Sequence, residues 1–161
     1  MEAANVAFVP AFALWLGFPR NNSEAVAIGL AVVAAAGFLI VGAAYWRGVD
    51  RRLRMRDGDA LRRALQIADS AVRPLLAVGA AGIAATLFAL SVNGLTPPVI
   101  AALALSLLAT LEYVNYYHRQ LQHFDNRADF MRLISGRGGK PSHMSRDLAA
   151  WRRARAASPR G

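Results

Sequence analysis

The chain has no cysteine, a single lysine and only ten acidic residues in 161. Without cysteine there is no disulfide, no thiolate zinc site and no cysteine nucleophile. Charged residues of both signs make up 18% of the chain, below the roughly one quarter typical of soluble domains, while hydrophobic residues reach 55%. That pairing excludes a soluble enzyme core, a disordered tail and a collagen-like fibre. The charge that is present has one dominant sign, with a formal net value of +9. Eighteen of the nineteen basic residues are arginine, Lys140 being the exception. Guanidinium makes bidentate contacts with phosphate that ammonium cannot, although GC-rich coding combined with a positive-inside signal accounts for the same bias more simply.

Apolar and basic residues are segregated, as expected where a bilayer is part of the solvent. A helix needs about 20 apolar residues to cross a hydrocarbon core. Ala25 to Trp46 meets this with no charge and no proline, and Leu75 to Val92 and Val99 to Tyr117 follow, the last with one charge, Glu112. These runs predict three transmembrane helices and an all-α fold. Residues 3–18 form a shorter apolar stretch interrupted by Pro10, and the only early charge is Glu2, unlike the basic start of a signal peptide. As helix this stretch measures about 24 Å, enough for a locally thinned bilayer. The polar turn from Pro19 to Glu24 favours a fourth, short span over an interfacial helix, with Asn22 or Ser23 as N-cap of the next helix and Glu24 in its first turn.

Segment 47–74 carries eight basic and four acidic residues, and the tail from His118 to Gly161 carries ten and three. The short connections 19–24 and 93–98 contain one basic residue, Arg20. By the positive-inside rule the 47–74 loop and the tail face the cytoplasm of a bacterial inner membrane. The expected organisation is a transmembrane bundle over 1–117, including the basic loop, followed by a basic cytoplasmic tail over 118–161.

Ala77, Ala81, Ala85 and Ala89 recur every fourth residue in the second span beside Gly79 and Gly82, and the first span offers Gly29, Gly37 and Gly42. Small faces let helices approach closely in lipid, within one chain, in a homo-oligomer or against another membrane protein. In the 47–74 loop, Asp59 is a plausible N-cap for an amphipathic helix from Ala60 to Arg73. Leu61, Leu65, Ala68 and Val72 fall on one side of it, and Pro74 heads or kinks the span that follows. Such a helix suits an anionic membrane surface, or a cytoplasmic packing against the tail.

The most informative stretch begins at Leu111. At 100° per residue, Glu112, Tyr116, Arg119 and His123 share one helical face, flanked by Asn115, Gln122 and Asn126. The third helix is therefore expected to run past the membrane surface with a polar stripe of about four turns, with Arg47 or Arg73 at a depth suitable for pairing with Glu112. An ionisable residue within a span is a functional-site hypothesis by default. Glu112 and His123 are acid–base candidates, and Arg119 with Asn115 and Tyr116 would bind phosphate or polar groups. The same constellation also serves as a structural lock on helix register, and the tyrosines suit an aromatic belt. A metal site is not supported. His118 and His123 lie about 140° apart on a helix, and the third position after Glu112 is Asn115 rather than the histidine of a di-iron motif.

In the tail, Ile134 and Pro141 stand where a Walker loop requires glycine and serine or threonine, so the glycine-rich stretch between them is not a nucleotide site. Residues 125–134 can continue as helix. Ser142 then caps a last helix with Met144, Leu148 and Trp151 on one side, surrounded by Arg146, Arg152, Arg153 and Arg155. These arginines suit anionic lipid headgroups. Nucleic acid would offer similar phosphates, but no base-reading module is present. No cofactor motif is found. The leading expectation is a small non-enzymatic inner-membrane protein, an accessory or scaffold with a basic, lipid-facing cytoplasmic side. The alternatives are an enzyme acting on a lipid or lipid-linked substrate at the interface, and an oligomeric transporter or channel.

Because native cysteine is absent, single cysteines report topology without background. Asn22→Cys should label from outside intact cells, and Ala4→Cys only after permeabilisation; labelling of both from outside would place residues 3–18 at the interface instead.

Overall fold

The computed structural model describes residues 8, 9, 11, 12, 15–119 and 141–157. It is all-α, as expected. The named helices are α1 (Asn22–Met55), α2 (Gly58–Asn93), α3 (Pro97–Tyr117) and α4 (His143–Ala157). The first three are long and apolar enough to cross a membrane. Ahead of them, residues 8, 9, 11, 12, 15 and 16 are helical, and Val9 is buried beside α1 and α3. Residues 3–7, 10, 13 and 14 of the expected fourth span lie outside the described residues.

Capping defines the helix ends one or two residues from where the sequence suggested. Asn21, rather than Asn22 or Ser23, caps α1 by accepting the Glu24 N–H, and Glu24 occupies the first turn. Asp57, rather than Asp59, caps α2 through the amides of Asp59 and Ala60. Thr96 caps α3, whose first two residues, Pro97 and Pro98, have no N–H to leave unsatisfied. Ser142 accepts the Ser145 amide at the start of α4, as expected.

The 47–74 segment is not a loop carrying a separate helix. α1 continues nine residues past Trp46, Arg56 reverses the chain with φ of 56°, and α2 starts two residues later and runs through Pro74. The amphipathic stretch and the second span are therefore one helix. Pro74 does not head the span, as one alternative had it, but lies inside the continuous helix. In the other direction, α3 is shorter than expected. It ends at Tyr117, His118 is its C-cap, and Arg119 pairs with Pro141 in an isolated antiparallel bridge.

α1 is the central helix, with α2 and α3 packed on it. Ala31, Ala34, Ala35, Phe38 and Leu39 of α1 form the middle of the core with Leu105 and Ala109 of α3. α2 and α3 meet mainly near their connecting turn, where Ala89 and Val99 are buried with Ala27 and Ala102. Only 17% of α2's most apolar stretch is buried, against 44% for α1 and 39% for α3. The small-residue stripe of α2 faces inward along only part of its length: Ala77 and Ala81 are exposed, Ala85 is half-buried, and Ala89 is buried with Gly82 and Thr86. Helical drift over four turns carries a strict four-residue repeat off any single face, since 3.6 residues make a turn.

Glycine matters most at two contacts. A Cβ on Gly42 would collide with the Tyr116 ring, and one on Gly48 would stand 2.8 Å from the Leu61 Cα. At Gly48 the obstacle is backbone, which cannot turn aside, so the α1–α2 hairpin closes only with glycine there. Gly48→Ala should lower thermal stability in detergent by ~1–3 kcal/mol through overpacking. Gly29→Ala, where nothing lies within 4 Å of the new atom, should leave it unchanged or slightly raised. Equal unfolding temperatures for the two variants would refute the close-contact account.

Candidate functional site

The basic end of the bundle brings together the residues that the sequence singled out, though not as one stripe. Glu112 is half-buried, with its Oε2 atom enclosed by protein. Tyr116, one turn later, is buried and the hydroxyl end of its ring lies against Gly42. Asn115 is half-buried between them in sequence. Arg119 does not continue this face, because the helix has already ended and the bridge to Pro141 directs the chain. His123 lies outside the described residues. Arg47 and Arg73, the expected partners of Glu112, are both exposed.

What the chain builds here instead is a set of anchors for α4. Met144 and Leu148 of α4 are buried with Leu61, Leu65 and Ala68 of α2 and Val41 and Tyr45 of α1, and Trp151 packs at the margin. The two amphipathic helical segments thus cover each other's apolar sides, rather than laying them on lipid. The choice follows from sequence: each carries about three large apolar residues per face, enough to satisfy the other but exposed to water if left alone.

Hydrogen bonds fix this packing. The Tyr45 hydroxyl donates to Asp147 Oδ2 at 2.8 Å, and the Tyr117 hydroxyl to the Ala68 carbonyl at 2.8 Å. The Ser142 hydroxyl donates to the Tyr116 carbonyl, and the Ser142 amide to the His118 carbonyl at 3.2 Å. The Tyr113 hydroxyl and His118 Nε2 are 2.7 Å apart. Two of the three tyrosines ascribed to an aromatic belt therefore use their hydroxyls within the protein, and Tyr116 is buried.

The arginines of α4 divide by role. Arg152 Nε donates to Asp69 Oδ1 at 2.7 Å, so it clamps α4 to α2. Arg146 lies against His143 Nδ1 at 2.9 Å, and the Arg155 guanidinium sits 5.4 Å above the Trp151 ring. Arg153 is exposed. Beside them, Arg51, Arg52, Arg56 and Arg63 at the α1–α2 hairpin are exposed too. Among the described residues no cluster of three or more histidine, aspartate or glutamate side chains is placed to hold a metal.

The opposite end carries a polar network that sequence reasoning passed over. Glu24 is 1% exposed, yet its carboxylate accepts the Arg20 amide at 2.7 Å and the Thr96 hydroxyl at 2.7 Å. Asn93 Nδ2 donates to the Ser23 hydroxyl at 2.9 Å and to the Ala89 carbonyl at 3.0 Å, while Asn21 Nδ2 donates to Asn93 Oδ1 at 2.8 Å. The signal was visible: Asn21, Ser23, Glu24, Asn93 and Thr96 are the polar residues of two short turns that must lie together if the helices are antiparallel.

Tyr45→Phe should cost about 1 kcal/mol of thermal stability, the usual net worth of one such hydrogen bond. Tyr45→Phe and Asp147→Asn should be strongly non-additive in a double-mutant cycle; additive losses would mean that the two side chains do not act on each other. No family model, curated protein or solved structure matches the chain, so its geometry and charge distribution are the grounds for a functional reading.

Proposed function

We propose that this is a non-enzymatic, multi-pass protein of a bacterial inner membrane, acting as an accessory or scaffold whose cytoplasmic side holds anionic lipid. The observation that carries this reading is polarity between the two ends. Three apolar helices join a neutral, closely hydrogen-bonded end to an end with exposed Arg51, Arg52, Arg56, Arg63 and Arg153. By the positive-inside rule the α1–α2 hairpin and α4 lie in the cytoplasm. There the arginines form a rim around a packed helical cap, at the level of the headgroups, where each basic residue adds about 1 kcal/mol of attraction to an anionic surface.

The scaffold part of the reading rests on α2. Its outward side combines small residues, Ala77, Ala81 and Ala84, with Leu76, Ile83 and Leu87. A side of that composition is suited to another transmembrane helix, because alanines give close approach and the larger residues fill around it. The packed cap also favours scaffold over enzyme: Tyr116 and Tyr117 are committed to holding helices together.

Native mass spectrometry of the protein released gently from its own membrane tests both parts. A fixed oligomer or a second protein should accompany the chain, and anionic lipid should be retained over zwitterionic lipid. The combined Arg146→Gln, Arg153→Gln and Arg155→Gln variant should retain less anionic lipid, with the difference shrinking as salt rises. A bare monomer with no preference among lipids would overturn the reading.

A further inference from the structure

A groove of about 220 Å³ between α2 and α3 is apolar and selects nothing beyond hydrocarbon. A second opening differs in kind. It is a cleft of about 420 Å³ where the α1–α2 hairpin meets α4. Leu61 and Leu65 of α2 and Trp151 of α4 give it an apolar wall; its charged groups are Arg52 of α1, Arg62 of α2 and Asp147 of α4. The two arginines reach one cleft because Arg52 lies in the last turn of α1 and Arg62 near the start of α2. Both are exposed. Arg52 forms no ion pair among the described residues. Arg62 gives one nitrogen to Asp59, but a guanidinium has several N–H donors, so both arginines keep donors to offer. Asp147 is already engaged, its Oδ2 accepting the Tyr45 hydroxyl at 2.8 Å.

Charge balance shows what the cleft lacks. α4 carries four arginines against one aspartate, and segment 47–74 eight basic residues against four acidic. Two positive elements are thus packed together, and Arg152–Asp69 is the one ion pair between them among the described residues. Burial of Met144 and Leu148 holds α4 in place against this repulsion. An anion seated where the two elements meet lowers it, and a ligand that binds only the closed cap stabilises that state. Chemistry narrows the anion further. Carboxylate oxygens lie in one plane, whereas phosphate oxygens point in several directions and can meet guanidiniums arriving from two helices. The apolar wall then receives an organic group beside the phosphate. Space suffices, since a cavity of about 150 Å³ already holds a benzene.

We propose that this cleft binds the phosphate group of an organic phosphate ester, held by Arg52 and Arg62 with its organic part against Leu61, Leu65 and Trp151. The occupant is a counterion that joins α4 to the hairpin. A phospholipid headgroup and a soluble phosphate ester present this same group. The site goes beyond the arginine rim proposed above, and rests on the lipid reading for the first of these two sources only.

Trp151 is the reporter. Trp15 and Trp46 are the other tryptophans, so Trp15→Phe with Trp46→Phe leaves one indole, in the cleft wall. The full chain in phosphatidylcholine nanodiscs is titrated with glycerol phosphate, against chloride at matched ionic strength. In a second arm phosphatidylglycerol replaces part of the lipid. A saturable change in Trp151 emission is expected. Response to glycerol phosphate alone identifies a soluble ester, response to phosphatidylglycerol alone a headgroup, and response to both the shared phosphate. Arg52→Gln should weaken binding about ten-fold, as for a hydrogen bond to a charged group. Arg54→Gln removes the same charge from the same turn, but from a side chain paired with Asp50 outside the lining, and should leave binding unchanged. No saturable response in either arm, an equal response to chloride, or equal weakening by Arg54→Gln would overturn the proposal. Anionic lipid still retained in native mass spectrometry would then leave the lipid reading standing without the cleft.

Discussion

Close approach to α1 is the contact on which the remainder of the fold depends. Inside lipid there is no hydrophobic gain from bringing apolar helices together, so association relies on dispersion at short range. α1 supplies that with Ala27, Ala31, Ala34 and Ala35, all essentially inaccessible, and with Gly42 and Gly48 nearer the basic end. Two helices can lie on one because its packing face is small on both flanks. The consequence is that α2 and α3 meet little except at their turn, which leaves a groove between them and exposes most of α2. A single compositional choice in α1 thereby sets the core, the lateral opening and the outward helix face.

At its two ends the bundle is closed by different chemistry. At the neutral end a buried carboxylate, Glu24, is satisfied by an amide and a hydroxyl from separate turns. A charge in such a place is tolerable only when its acceptor positions are filled, and the partners come from residues that the hairpin geometry already brings together. At the basic end the closure is apolar first and polar second. Met144 and Leu148 cover the amphipathic start of α2, and tyrosine hydroxyls with the Arg152–Asp69 pair then fix the orientation. Both ends hold the same three helices in register.

Much of this was legible in the sequence. The three apolar runs, the helical class, the Ser142 cap and the apolar side of α4 follow from length and periodicity, which local physics determines. The details that differ depend on nonlocal packing. Periodicity extended α3 beyond Tyr117 because a pattern of polar residues does not show where a chain turns; the bridge between Arg119 and Pro141 does. The alanine repeat of α2 pointed to one inward face, but a four-residue repeat winds around the helix, so only Ala89 joins Gly82 and Thr86 on the buried side. Of the candidate site, Glu112, Asn115 and Tyr116 do share the basic end of α3, while Arg47 and Arg73 are exposed positions of the neighbouring helices. The Glu24 network escaped notice for the same reason: each half is an ordinary cap, and only the antiparallel assembly joins them.

The cap at the basic end differs from the rest of the bundle in how strongly it is held. α4 buries two residues fully, Met144 and Leu148, whereas α1 buries eleven. Opening free energy scales with buried apolar contact, so α4 is the named helix that separates at least cost. Its release would expose Leu61 and Leu65 of α2 and free Asp147 and Asp69 together, changing both the apolar and the electrostatic character of the surface that the exposed arginines surround. An anionic headgroup favours the closed cap only insofar as it binds that state more tightly than the open one. Since Arg152 is engaged with Asp69 when the cap is closed while Arg153 is not, headgroup contact at Arg153 leaves the clamp intact. Contact at Arg152 competes with it. If the proposed lipid contact is made, whether the cap is held or loosened would depend on which of two adjacent arginines the headgroup meets.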